Sequence, residues 1–182
     1  MNWIGMRTLL YKEILRFSKV YLQTLLAPMI TSLLYLLVFS HVFAGRMEVY
    51  EGISYSAFLI PGLIMMTVIQ NAFANSSSSL IQSKVTGNII FILLPPLSHL
   101  EIYLAFIIAS MIRGILVGLE ILLITSLFID LPLFNLFYLL LFLFLASASL
   151  GTLGIIAGLW AEKFDQLSGF TNFISSFSGN SI

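Results

Sequence analysis

An all-α, polytopic membrane protein is the fold class this sequence predicts, and three observations carry it. Of 182 residues, 59% are hydrophobic and only 9% charged, against about 25% charged in an ordinary soluble domain. Four apolar segments, over about 20–43, 56–75, 102–129 and 134–160, each approach or exceed the roughly 20 residues that carry a helix across about 30 Å of hydrocarbon. The basic residues are also asymmetric: Arg7, Lys12, Arg16, Lys19, Lys84 and Lys163 fall on one side of a four-span chain and Arg46 alone on the other. Because Lys and Arg accumulate in cytoplasmic loops, this places both termini in the cytosol and the loops near Gly45 and Asp130 outside.

Composition also excludes several functions. Sixteen Phe and seven Tyr suit a lipid-facing surface, and a formal net charge of zero leaves no clustered basic face for nucleic acid. There is no Cys, so disulfides, thiolate metal sites and Cys nucleophiles are out of reach. His41 and His99 stand far apart near opposite membrane faces, and no metal or cofactor is expected. A Gly-x-x-x-x-Gly-Lys-Ser/Thr loop is missing as well, so ATP-driven work needs a partner.

In chain order, residues 1–19 place Trp3, Met6, Leu10, Ile14 and Phe17 at steps of three and four, with Lys12, Arg16 and Lys19 away from that stripe. This predicts an amphipathic helix at the membrane interface. A signal peptide is the competing reading, with Val42-Phe43-Ala44 resembling a cleavage site; the following apolar segment is too long for it and more spans follow. Pro28 predicts a mild kink in the first span. Residues 45–54 read as a short exposed loop, and the second span closes near Asn75. The small polar side chains from Asn71 to Ser79 read as packing positions or a frayed helix end.

Between the second and third spans, Gln82 to Tyr103 fits neither a span nor a plain loop. Its apolar run, Ile89 to Leu97, has nine residues and contains Pro95-Pro96, so it cannot cross the bilayer and must lie at a membrane face. Ser98 with Glu101 three residues later predicts a capping box opening the next helix. Glu101 as a catalytic carboxylate has no second acid, His or nucleophile at fixed spacing, which favours capping or docking.

Within the third span, Arg113 and Glu120 are two turns apart on nearly one face. Both should face protein or water, because each costs roughly 2.5 to 3.5 kcal/mol in lipid on insertion scales. They form a candidate intramembrane polar site, for substrate or for another helix. Gly114-Ile-Leu-Val-Gly118 and Gly154-Ile-Ile-Ala-Gly158 predict close helix approach. Residues 170–182 turn apolar again and read as a truncated fifth span.

The chain resembles the permease subunits of type-2 ABC exporters over nearly its whole length. The resemblance rests on the basic amphipathic start with Lys12-Glu13 and Arg16-Phe17, and on Tyr55-x-x-Phe58-x-x-Pro61-Gly62. It rests equally on Gly87-Asn-Ile-Ile-Phe-Ile-Leu-Leu-Pro-Pro96-Leu-Ser98-x-x-Glu101 and on Phe164-Asp-Gln. It implies that the segment of about 82–101 is a cytosolic coupling helix docking into a groove of an ATP-binding cassette ATPase, with the amphipathic start beside it. Gly87, Asn88, Ile89, Leu93, Pro96, Ser98 and Glu101 are the residues so implied. It further implies a second permease copy, contact with membrane lipid, and a bacterial-type inner membrane. ATP hydrolysis in the partner would drive a lipid, polysaccharide or drug-like substrate outward. Where the family usually carries acids, this chain has Gln82, Ser83 and Phe91, implying a more apolar ATPase contact. The family has six spans; four with a stub imply the alternative of a non-transporting remnant or small assembly protein. Such a chain is expected to insert but not to export.

Overall fold

The computed structural model describes residues 2–43, 48–50, 53–127 and 136–163, with 166 and 169. The helices are α1 (Trp3–Ser18), α2 (Tyr21–Phe43), α3 (Tyr55–Val85), α4 (Ile89–Leu93), α5 (His99–Ser126) and α6 (Leu136–Trp160). The fold is helical, as expected. Two helices, His99–Ser126 and Phe137–Trp160, are long and apolar enough to cross a membrane by length and composition. The segment read as an exposed loop contains a small antiparallel ribbon of β1 (Glu48–Tyr50) and β2 (Ile53–Ser54), with Glu48 opposite Ser54 and Tyr50 opposite Ile53. The loop at Asp130, the Phe164-Asp-Gln motif beyond Gln166 itself, and residues 170–182 lie outside the described residues.

The core is an α3–α5–α6 bundle in which α5 runs antiparallel to the other two. Ile60, Ile64 and Val68 of α3 pack against Val117, Ile121 and Leu122 of α5 and Leu143 of α6. One end is closed by Phe73 and Ile81 with Ala157 and Ala161. Small residues let the axes approach. A Cβ on Gly154 would stand 2.3 Å from Ser76 Oγ and 2.5 Å from the Phe73 carbonyl oxygen. One on Gly114 would meet Ser147 Oγ at 2.8 Å, and one on Gly118 would meet Val68 Cγ2 at 2.6 Å. Each of the two Gly-x-x-x-Gly stretches thus receives a neighbouring helix, as small-residue interfaces do in lipid.

The polar tract after Asn71 corrects the frayed-end reading, since α3 continues unbroken to Val85. Ser77 Oγ donates to the Phe73 carbonyl at 2.7 Å and Ser83 Oγ to the Ser79 carbonyl at 2.8 Å. These side chains therefore stay inside the helix rather than compete with it. Ser76 Oγ also donates to the Gly151 carbonyl across the interface, at 2.8 Å.

Helix α1 begins at Asn2, whose Oδ1 accepts from the Gly5 N–H at 3.0 Å, an N-cap. It packs along α5 rather than across the bundle: Met6 and Leu9 meet Ala105 and Phe106, with Leu80 and Ile92 alongside. The buried face is Met6, Leu9, Glu13 and Phe17, which corrects the expected stripe. Trp3 is 63% exposed, and the contact is centred instead on Leu9 and on a carboxylate neutralised by its own helix.

Candidate functional site

Two features stand out: a polar node inside the bundle and an apolar tip at its end. The node begins with Glu13, fully buried and ion-paired with Lys12 Nζ at 2.8 Å and Arg16 Nε at 3.2 Å. Arg16 then leaves the polar face assigned to it by periodicity and turns inward to α3. Its Nη2 donates to the Asn75 carbonyl at 2.7 Å and to Asn75 Oδ1 at 3.0 Å, and its Nη1 to Ser78 Oγ at 3.2 Å. From α5, Arg113 Nη1 reaches the same Asn75 Oδ1 at 3.5 Å, and Nη2 donates to Asn71 Oδ1 at 3.2 Å. Two cations from different helices share one carboxamide oxygen.

Arg113 is thus turned to protein, as an ionisable group in a long apolar helix should be. Glu120 is not part of this node. Among the described residues the side-chain ion pairs are Lys12–Glu13 and Arg16–Glu13, and Glu120 Oε2 is buried without a hydrogen-bond partner. The expected Arg113/Glu120 site is therefore not assembled: seven residues separate them by about 10 Å along the axis, and Arg113 is held by asparagines. Sequence reading missed Glu13, Arg16, Asn71 and Asn75 as node residues. Asn71 and Asn75, four apart where the apolar part of α3 gives way to its serine tract, share one face, and that was the available signal.

At the other feature, α3 turns into α4 through Gly87, whose φ of 73° lies in the left-handed region that glycine occupies without a Cβ clash. Asn88 follows, exposed, and α4 ends at Leu94-Pro95-Pro96. Ile92 is buried against Leu9 and Leu80, while Ile89 is half-buried. Ile90, Phe91, Leu93, Leu94 and Leu100 are each 60–75% exposed, an apolar surface of the kind that marks an interaction site. Between α1 and α4 lies a cavity of about 540 Å³ lined by Thr8, Lys12, Asn88, Phe91 and Pro95 among others. Pro96 and Ser98 are exposed beside it.

Ser98 and Glu101 form the expected capping box, Ser98 N–H to Glu101 Oε2 at 2.8 Å and Glu101 N–H to Ser98 Oγ at 3.3 Å. Glu101 Oε1 also accepts the Asn2 backbone N–H, tying the start of α1 to the start of α5. Opposite it, Lys84 Nζ donates to the Leu159 carbonyl and to the Ala161 carbonyl, the latter at 3.1 Å. A cation on orphan carbonyls at a helix end is favourable, and it clamps α6 to the end of α3. Among the described residues no three His, Asp or Glu converge as a metal site requires.

Residues 5–178 match the family described as ABC-2 type transporter. The inner membrane transport permease YadH of Escherichia coli K12 and its namesake in Shigella flexneri are each 33% identical over 172 residues. The match covers 94% of this chain and 67% of each relative. No solved structure matches the chain.

Proposed function

The chain belongs to the ABC-2 type transporter family, and we propose that it is an inner-membrane permease subunit. In this reading a separate ATP-binding cassette ATPase drives a lipid, polysaccharide or drug-like substrate outward through it. Helices α2, α3, α5 and α6 are the spans, the amino terminus and the α4 tip are cytosolic, and a second copy of the chain completes the permease. The chain is a transport component that carries no phosphate loop of its own, so the coupling surface is the functional site.

The observation that carries this reading is the α4 tip. Apolar side chains 60–75% exposed at the end of a hairpin need a covering surface, and Lys84, at the end of α3 just before the tip, falls on the cytosolic side by the basic-residue rule. Gly87, Asn88, Ile89, Leu93 and Pro96 shape the tip. Ser98 and Glu101 support it from beneath through the capping box and the bond to Asn2. α1 backs it through Leu9 and Ile92, so a push on α4 is received by α1, α3 and α5 together.

The test is co-purification of the tagged chain with its ATPase, identified by mass spectrometry and ATP hydrolysis. Ile90→Glu with Leu93→Glu should abolish the association while leaving membrane insertion intact. Normal association of that double variant would show that the ATPase docks elsewhere.

A further inference from the structure

A second site lies away from the ATPase-facing tip, where α1 turns into α2. A 31-residue α3 is about 46 Å long, some 16 Å more than the hydrocarbon it crosses. The surplus is about eleven residues, and the polar residues 75–85 are the ones suited to leave the hydrocarbon. Asn75 therefore marks the cytosolic end of the α3 stretch that crosses the hydrocarbon, and the Arg16–Asn75–Arg113 node lies in the cytosolic half of the bundle.

Beside the node, α2 and α3 enclose a groove of about 810 Å³ into which Arg16 and Arg113 both open, with Gln23, Thr24, Gln70 and Asn71 on its walls. Its charge is unbalanced. Glu13 is engaged by Lys12 and Arg16, and among the described residues no carboxylate pairs with Arg113. Arg113, which lines the groove, has its Nε buried without a hydrogen-bond partner. Buried polar atoms are ordinarily satisfied. Arg16 and Arg113 both line the groove, so two guanidinium groups meet where an oxyanion can enter, and such groups recognise oxyanions geometrically as well as by charge. The groove's lip is apolar, with Val20, Ala27 and Pro28, and beyond it Tyr21, Leu22, Leu26 and Ile30 of α2 are exposed, a track for acyl chains.

We propose that this groove binds a net-anionic phosphate ester, its charge on Arg113 and Arg16. A phospholipid headgroup and a water-soluble phosphate ester share that chemistry. Binding is read on the permease alone, so it stands or falls separately from ATPase docking.

The experiment measures fluorescent phosphatidylglycerol binding to the purified full chain in uncharged maltoside micelles. Unlabelled phosphatidylglycerol should displace it at about tenfold lower concentration than phosphatidylcholine, and Arg113→Gln should weaken binding about tenfold, as loss of a charge-assisted fork would. Gln23→Glu, at an exposed wall position, puts a negative charge in the groove without removing a node contact and should weaken binding similarly; Arg7→Gln, away from the groove, should not. Displacement by sn-glycerol 3-phosphate as effective as by the lipid assigns the site to soluble phosphate esters; displacement by lipid alone assigns it to headgroups. Equal displacement by phosphatidylcholine, or unchanged binding in both Arg113→Gln and Gln23→Glu, would overturn the proposal.

Discussion

Arg113 and Glu120 lie on the same helix two turns apart, yet Arg113 is held by Asn71 and Asn75 of α3 while Glu120 Oε2 is left without a hydrogen bond. Charges of opposite sign on one face suggest a pair whose joint removal costs less than either single loss. The geometry gives the opposite expectation. Sites more than about 7–10 Å apart with no shared partner act additively within about 0.5 kcal/mol. Unfolding of Arg113→Gln, Glu120→Gln and the double variant in denaturant should therefore give a coupling no larger than that. Arg113→Gln with Asn71→Ala should couple clearly, because they share a hydrogen bond. A large Arg113–Glu120 coupling would refute the separation.

Glycines of α3, α5 and α6 should respond differently to one methyl group. Gly154 faces the Phe73 carbonyl, a backbone atom that cannot rotate away, whereas nothing lies within 4 Å of a Cβ placed on Gly62. Gly154→Ala should destabilise by about 1–3 kcal/mol, as overpacking does. Gly62→Ala should be neutral or stabilise by up to about 1 kcal/mol through reduced backbone freedom. Gly114→Ala should fall between them, since its nearest neighbour is a serine hydroxyl at 2.8 Å. Equal effects at Gly154 and Gly62 would mean that the α3–α6 seam is not closely packed.

What was legible in the sequence was whatever depends on near neighbours. The capping box at Ser98 and Glu101 is a four-residue pattern, and the double proline stops α4 for local reasons. The Gly-x-x-x-Gly stretches announce close approach but not its partner, because Gly154 meets Ser76 and Phe73 only once α6 lies parallel to α3. Arg16 was misplaced for the same reason. Periodicity puts it opposite Met6 and Phe17, but a long side chain next to buried Glu13 finds Asn75, fifty-nine residues away. The serines from Ser76 to Ser79 read as an ending because their hydroxyls can compete with the backbone; Ser76, Ser77 and Ser78 instead bond to carbonyls about one turn back, and α3 continues.

The absence of cysteine allows a clean test of which parts of the chain face the cytosol. If residues 75–85 of α3 are the surplus beyond the hydrocarbon, then Gln82 and the α4 tip stand in water on the side where the basic residues gather. Single cysteines at Gln82 and Asn88, both exposed, should react with a membrane-impermeant maleimide only after the inner membrane is opened. One at Arg46 should react in intact spheroplasts. Cysteines at Leu123 and Leu145, exposed apolar positions of α5 and α6, should resist from both sides because lipid covers them. Labelling at Asn88 in intact spheroplasts would invert the orientation and remove the tip from the ATPase. Ready labelling at Leu123 or Leu145 would instead show that those faces are covered by water rather than by lipid or a second copy, and the span assignment of α5 and α6 would fail with it.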